Sequence, residues 1–174
     1  MNEVQPQRDA EVGIAGAKPQ LIFYGSDSAL LEKLKPHSSE LRYISYEVGY
    51  GPQVTAKAHL DAFWVTLMGG VELFGATPPF PLHEARVLRT PAAQLEKGFP
   101  RYGIMGVAVS QNDPRSPDYN LRLVISALLK AVNDFNSRGE DRILRVGILP
   151  DDLELKKLKP EAAFKIVREV YETA

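Results

Sequence analysis

The chain of 174 residues contains no cysteine, which excludes disulfide scaffolds, thiolate metal sites, redox pairs and cysteine nucleophiles. It has no surplus of one charge either: 21 Lys+Arg stand against 22 Asp+Glu, a formal net charge of −1. Without a clustered basic surface, duplex nucleic acid is not expected as a partner. Long hydrophobic runs are also missing. No stretch approaches the ~20 apolar residues that span a bilayer, and residues 1–19 hold no apolar signal core, so no membrane is expected and the cytoplasm is the default location. The nucleophile elbow G-x-S-x-G and the zinc motif H-E-x-x-H do not occur, so no catalytic residue or cofactor is indicated.

What is present describes one ordinary domain. Apolar residues make up 44% of the chain, and a domain of this size buries roughly 68–70% of the surface its unfolded chain exposes, enough for a core without staples. Residues 1–19 mix Gln, Pro, Gly and alternating charge without a period and read as a flexible leader, leaving a single domain over 20–174. Leu21-Ile22-Phe23-Tyr24 is a β-prone run, and Gly25-Ser26-Asp27-Ser28 after it supplies a cap for a helix carrying Leu30, Leu31 and Leu34. Leu41 to Val48 alternates as a second strand. Ala62 to Met68 is an apolar run that suits a central strand covered on both faces, ended by Gly69-Gly70, with a short helix over Val71, Leu73 and Phe74 stopping before Pro78-Pro79. Ala85 to Leu88 and Tyr102 to Val109 are further strands.

Between Ser116 and Gly139 the apolar residues Leu121, Val124, Ile125, Leu128, Leu129, Val132 and Phe135 repeat at the three-and-four spacing of one helical face. Ile143 to Leu149 is a strand, and Pro160-Glu161 opens a last helix with Ala163, Ile166, Val167, Val170 and Tyr171 on its buried stripe. Strands alternating with helices predict an α/β fold: three layers, α/β/α, with helices on both faces of a mostly parallel, mixed sheet. In such folds ligands bind beyond the carboxyl ends of the strands. Four loops therefore draw attention: Gly25 to Ser28, Glu47 to Pro52, Leu67 to Gly70, and Pro150 to Asp152.

Chemistry-bearing residues are few. Met68-Gly69-Gly70 presents backbone amides that can face an anion, while a glycine pair also simply permits a tight turn. Asp151-Asp152, with Glu154 near, reads more readily as a solvated acidic turn balanced by Lys156, Lys157 and Lys159 than as a metal site, since no third ligand is recognisable. His59 and Asp61 would share a face if they lay on a strand. Phe63 and Trp64 read as core. One of Tyr43, Tyr46 and Tyr50 can stack on an aromatic ligand, with packing the plainer alternative.

The order of these segments over Leu21 to Ala174 resembles the macro domain, the α/β/α fold that binds ADP-ribose. The resemblance rests on Leu21-Ile22-Phe23-Tyr24-Gly25-Ser26-Asp27, on Asp61-Ala62-Phe63-Trp64-Val65, on Met68-Gly69-Gly70-Val71-Glu72-Leu73-Phe74-Gly75, and on Tyr102-Gly103-Ile104-Met105. It implies an ADP-ribose-like nucleotide as ligand, with Glu47 near the adenine, the Gly69 and Gly70 amides with Met68 near the diphosphate, Thr66 near the distal ribose, and Asp151 in the last ligand loop. The chain departs from the family where catalysis is concerned. The family's Asn-Ala-Ala-Asn segment is replaced by Thr66-Leu67, and its Gly-rich phosphate loop by Pro150-Asp151-Asp152. Weak or no hydrolysis is the expectation. The competing expectations are a scaffold turned protein-interaction module, motivated by the acidic loop and by Thr77-Pro78-Pro79-Phe80-Pro81, and a metal-assisted hydrolase using Asp151, Asp152 and His59.

Overall fold

The computed structural model describes residues 18–107, 117–139, 141–153 and 155–174. The expected leader up to residue 17, the strand positions Ala108 and Val109, the helix start Ser116 and the carboxylate of Glu154 lie outside the described residues.

Strand β1 (Gln20–Gly25) leads through α1 (Ser28–Leu34) to β2 (Ile44–Val48), and α2 (Gly51–Ala58) leads to β3 (Ala62–Val65). Then follow α3 (Leu67–Phe74), β4 (Glu84–Arg89), α4 (Ala92–Glu96), β5 (Tyr102–Val107), α5 (Pro117–Arg138), β6 (Arg145–Ile148) and α6 (Pro160–Thr173). The six strands form one sheet in the order β2-β1-β6-β3-β5-β4. Every pairing is parallel except that of β4 with β5. Chain crossovers of a strand, a helix and a parallel strand account for this pattern. The antiparallel strand lies at an edge, where Glu84, Arg86 and Arg89 make it a poor template for further pairing.

Side chains alternate across the sheet, as the period of two requires. Leu21, Phe23, Trp64, Ile104, Val146 and Ile148 join the core formed with α1, α5 and α6. Ile22, Tyr24 and Phe63 face the other way, against Val54 and Ala58 of α2. Helices therefore cover both faces, giving the three-layer α/β/α arrangement. The stripe expected on α5 is buried at Leu121, Val124, Ile125, Leu128, Leu129 and Val132. That helix is also pinned by a polar contact. The buried Asn136 amide donates to the Ile143 carbonyl at 3.0 Å and accepts from the Ile143 amide at 2.7 Å, fixing the helix end against the entry to β6 in a place where an unpaired amide would be costly.

Several expected boundaries move. The apolar run Ala62 to Met68 is divided: the strand stops at Val65, and Thr66 caps α3 with its hydroxyl accepting from the Gly69 amide at 3.3 Å. Gly69 and Gly70 accordingly lie in the first turns of a helix rather than ending a strand, because a threonine that satisfies an orphan amide outweighs the β-propensity of its neighbours. The second strand starts at Ile44, not Leu41. Helix α2 begins inside the segment Glu47 to Pro52 expected as a loop; Gly51 and Pro52 sit in its first turn, where proline's missing donor is harmless. Among the described residues, no helix is long and apolar enough to cross a membrane.

Candidate functional site

The carboxyl ends of β1, β3 and β6 and the turn after β2 surround a cavity of about 420 Å³. Each of the four loops singled out by strand order reaches it: Gly25 and Ser26 from the first, Gly49 to Pro52 from the second, Gly69 from the third and Asp152 from the fourth. Its walls are largely apolar. Tyr24 and Phe63 lie side by side with ring centroids 5.1 Å apart, and Phe99 meets Phe63 edge-on at 5.8 Å. Tyr50 precedes α2 at the lip and is 68% exposed. Phe63 and Trp64 are both core residues, as their apolar setting indicates, and both also border the cavity.

The glycine pair has two separate explanations. A Cβ on Gly70 would stand 2.2 Å from Sδ of Met105, so glycine there lets α3 pack against β5. A Cβ on Gly69 would meet only Val65 at 3.5 Å and Thr66 at 3.7 Å, ordinary contacts that do not require glycine. Gly69 is the one that borders the cavity. Its amide donates to the Thr66 hydroxyl and that of Gly70 to the Thr66 carbonyl at 2.9 Å, so the first-turn amides without an intrahelical acceptor are those of Leu67 and Met68.

Asp152 departs furthest from the sequence reading. The turn Pro150–Leu153 is a single 3-10 turn in which Asp151 is exposed and Asp152 half-buried. The solvated-turn reading therefore fails for Asp152, because the turn directs it toward the cavity wall. Burial, then the neighbouring Asp151 charge, pushes its carboxyl up to about 6. No described residue donates a hydrogen bond to it. The phenol of Tyr24, which also lines the cavity, is held above its ordinary range by burial and, secondarily, by the Asp152 charge.

The remaining expected residues are dispersed. Thr66 lines the cavity; Glu47, Met68, Gly70 and Asp151 do not border it. Glu47 is half-buried on β2, and Met68 is 68% exposed on the outer side of α3. Tyr43 is stacked on Tyr171 at 3.7 Å, and Tyr46 packs on Phe23 and shares a hydrogen bond with Ser38; burial pushes the Tyr46 phenol up to about 12. Tyr50 alone of the three is at the cavity.

The His59–Asp61 pair does not form. His59 ends α2 in the left-handed region at φ 53°, and Asp61 turns instead to the amino ends of the strands. Asp61 accepts from Arg101 at 2.9 Å and from the amides of Leu144 and Arg145 at 2.9 and 3.0 Å. His59 and Asp152 thus lie at opposite ends of the sheet, which separates the residues of the expected metal site. No group of three His, Cys, Asp or Glu able to hold a metal occurs among the described residues.

Asp152 and the cap at Thr66 escaped sequence reasoning for different reasons. Thr66 carried a signal, a capping residue before Leu67. The burial of Asp152 against a cavity carried none. Compared with known proteins, the chain matches no family model, no curated protein and no solved structure.

Proposed function

We propose that this protein binds a small nucleotide-type molecule of the ADP-ribose class in the cavity at the carboxyl ends of β1, β3 and β6, with weak or no hydrolysis. The observation that carries the reading is the cavity itself: about 420 Å³, walled by aromatic rings, with four separate loops converging on it. Parallel α/β sheets bind ligands at this end, because loops and helix starts there leave polar groups directed outward from a rigid scaffold. The macro-domain resemblance of Asp61 to Val65 and of Met68 to Gly75 adds the ligand class. Tyr50, exposed at the lip, is suited to stacking on a base. Thr66-Leu67, standing where the resembled family carries asparagine, argues for binding over turnover.

The test is a thermal-shift titration with ADP-ribose, AMP and NAD, followed by calorimetry. A ligand at 100 times its dissociation constant adds about 2.7 kcal/mol, or roughly 5–10 °C in a domain of this size. Gly69→Glu is the matched variant. It completes a Thr-x-x-Glu capping box on α3, so the helix should be retained while the cavity loses room. Retained affinity in that variant, or no shift with any of the three ligands, would reject the reading.

A second reading, as a protein-interaction module, is favoured by the outer side of α3, where Leu67, Met68 and Val71 are exposed. Apolar exposure on consecutive turns of one helix is characteristic of contact surfaces. Concentration-dependent mass in light scattering that Met68→Lys abolishes would support it, and constant mass would count against it.

A further inference from the structure

Three acidic side chains near strand ends can be compared for what satisfies them. Asp61 and Asp141, at the amino ends, are each held by Arg101 and by backbone amides. Asp152, at the carboxyl end, is half-buried at the wall of the cavity, and no described residue donates a hydrogen bond to its carboxyl. It is the single carboxylate among the described residues lining the cavity, and a half-buried acceptor without a protein donor bonds to water or to a ligand that displaces it. Leu149, Phe63 and Tyr24 line the same cavity and supply no cation. Asp151, next in sequence, adds negative charge from the solvent side.

These surroundings restrict what can lie there. A phosphate beside Asp152 would meet its carboxyl with no Lys or Arg among the cavity-lining residues, which is unfavourable in a partly desolvated place. A neutral hydrogen-bond donor would complement the carboxyl instead.

We propose that Asp152 is the specificity-determining residue of the cavity, accepting hydrogen bonds from a neutral donor on the nucleoside part of the ligand, so that the nucleoside enters the cavity and any phosphate stays at the mouth. This rests on the nucleotide-binding reading and deepens it by naming the portion of the ligand that is recognised. The donor chemistry is a sugar hydroxyl or an exocyclic amino group. Both are compatible with an acceptor set among aromatic rings.

The experiment is calorimetric titration of the full chain and of Asp152→Leu and Asp152→Asn with adenosine, inosine, 2′-deoxyadenosine, ADP-ribose and ribose 5-phosphate. Thermal midpoints establish that each variant is folded. The wild type should bind adenosine and ADP-ribose, with ribose 5-phosphate at least tenfold weaker than either. Asp152→Leu should weaken adenosine and ADP-ribose at least tenfold with no fall in its midpoint, with Asp152→Asn intermediate because an amide still accepts. Selective weakness of inosine assigns the donor to the amino group, and selective weakness of 2′-deoxyadenosine assigns it to the sugar. If ADP-ribose binds and Asp152→Leu changes its affinity less than twofold, the inference is overturned while the nucleotide reading stands. Tighter binding of ribose 5-phosphate in Asp152→Leu than in the wild type, with adenosine unaffected, overturns it in favour of a phosphate at this loop. Absence of binding by every compound removes both readings.

Discussion

Asp141 at the amino end of the sheet and Asp152 at its carboxyl end are the same side chain under opposite conditions. Asp141 accepts from Arg101, from the Tyr102 hydroxyl at 2.7 Å and from the Arg142 amide at 2.9 Å. Those donors, Arg101 first, hold its carboxyl down at about 2. Asp152 has burial without donors and is pushed up to about 6. The lesson is one of division of labour. The amino end closes its hydrogen bonds internally and stabilises the fold, whereas the carboxyl end leaves an acceptor and a cavity open. A fold that holds this carboxyl half-buried carries its charge at the expense of stability.

Breaking the amino end should have the largest effect. Asp61→Ala removes the Arg101 ion pair and leaves the Leu144 and Arg145 amides without their acceptor. Unmet buried donors cost about 1–3 kcal/mol each, and because this site is partly solvated a total of about 3 kcal/mol is expected, read as a lower denaturant midpoint. A loss under about 1 kcal/mol would show that the network does not close this end.

At the carboxyl end the sign reverses. Because the folded chain lifts Asp152 from 3.8 to about 6, it holds that proton more tightly than the unfolded chain does. Stability is then complete below about pH 4 and declines as the pH rises toward 6. Asp141, lowered from 3.8 to about 2, acts in the other direction: its contribution is present above about pH 4 and is lost as the pH falls toward 2. Asp152→Asn should therefore stabilise the protein at pH 7.5, by about 1–2 kcal/mol after allowance for solvent screening of a half-buried group. The gain should disappear near pH 4. Unfolding curves at the two pH values measure it, and an equal effect at both would mean that charge burial is not the cause.

The smallest effect should come from Gly69→Ala. The added methyl meets nothing closer than 3.5 Å, and alanine in place of glycine in a helix contributes roughly 0.5 kcal/mol. A small rise in thermal midpoint, accompanied by weaker ligand binding, would sharpen the contrast between the ends. A fall in midpoint would show that glycine is needed there for packing, as it is at Gly70.

Much of this was legible in advance because it depends on local periodicity. The α5 stripe and the apolar runs of β1 and β6 each repeat at the spacing of the element they form. Helix α2 was not legible, since only Val54 and Ala58 of its eight residues are buried and two positions make no stripe. The end of β3 was hidden in the run Ala62 to Met68, where hydrophobicity is continuous across a strand, a cap and a helix start. Of the candidate site, the loops were legible from strand order and the occupants were not. Tyr50 was distinguished from Tyr43 and Tyr46 only when Tyr171, Phe23 and Ser38 were seen to occupy the other two.

By itself, the sequence determined an α/β/α domain and the end of its sheet where loops gather, because periodicity and strand–helix alternation are properties of neighbours along the chain. Only the tertiary structure decided that Asp61 meets Arg101 and two amides from β6, and that Asp152 rather than Asp151 borders the cavity. Burial and hydrogen-bond partners belong to residues far apart in sequence, and the ionisation of a carboxyl depends on what surrounds it in space.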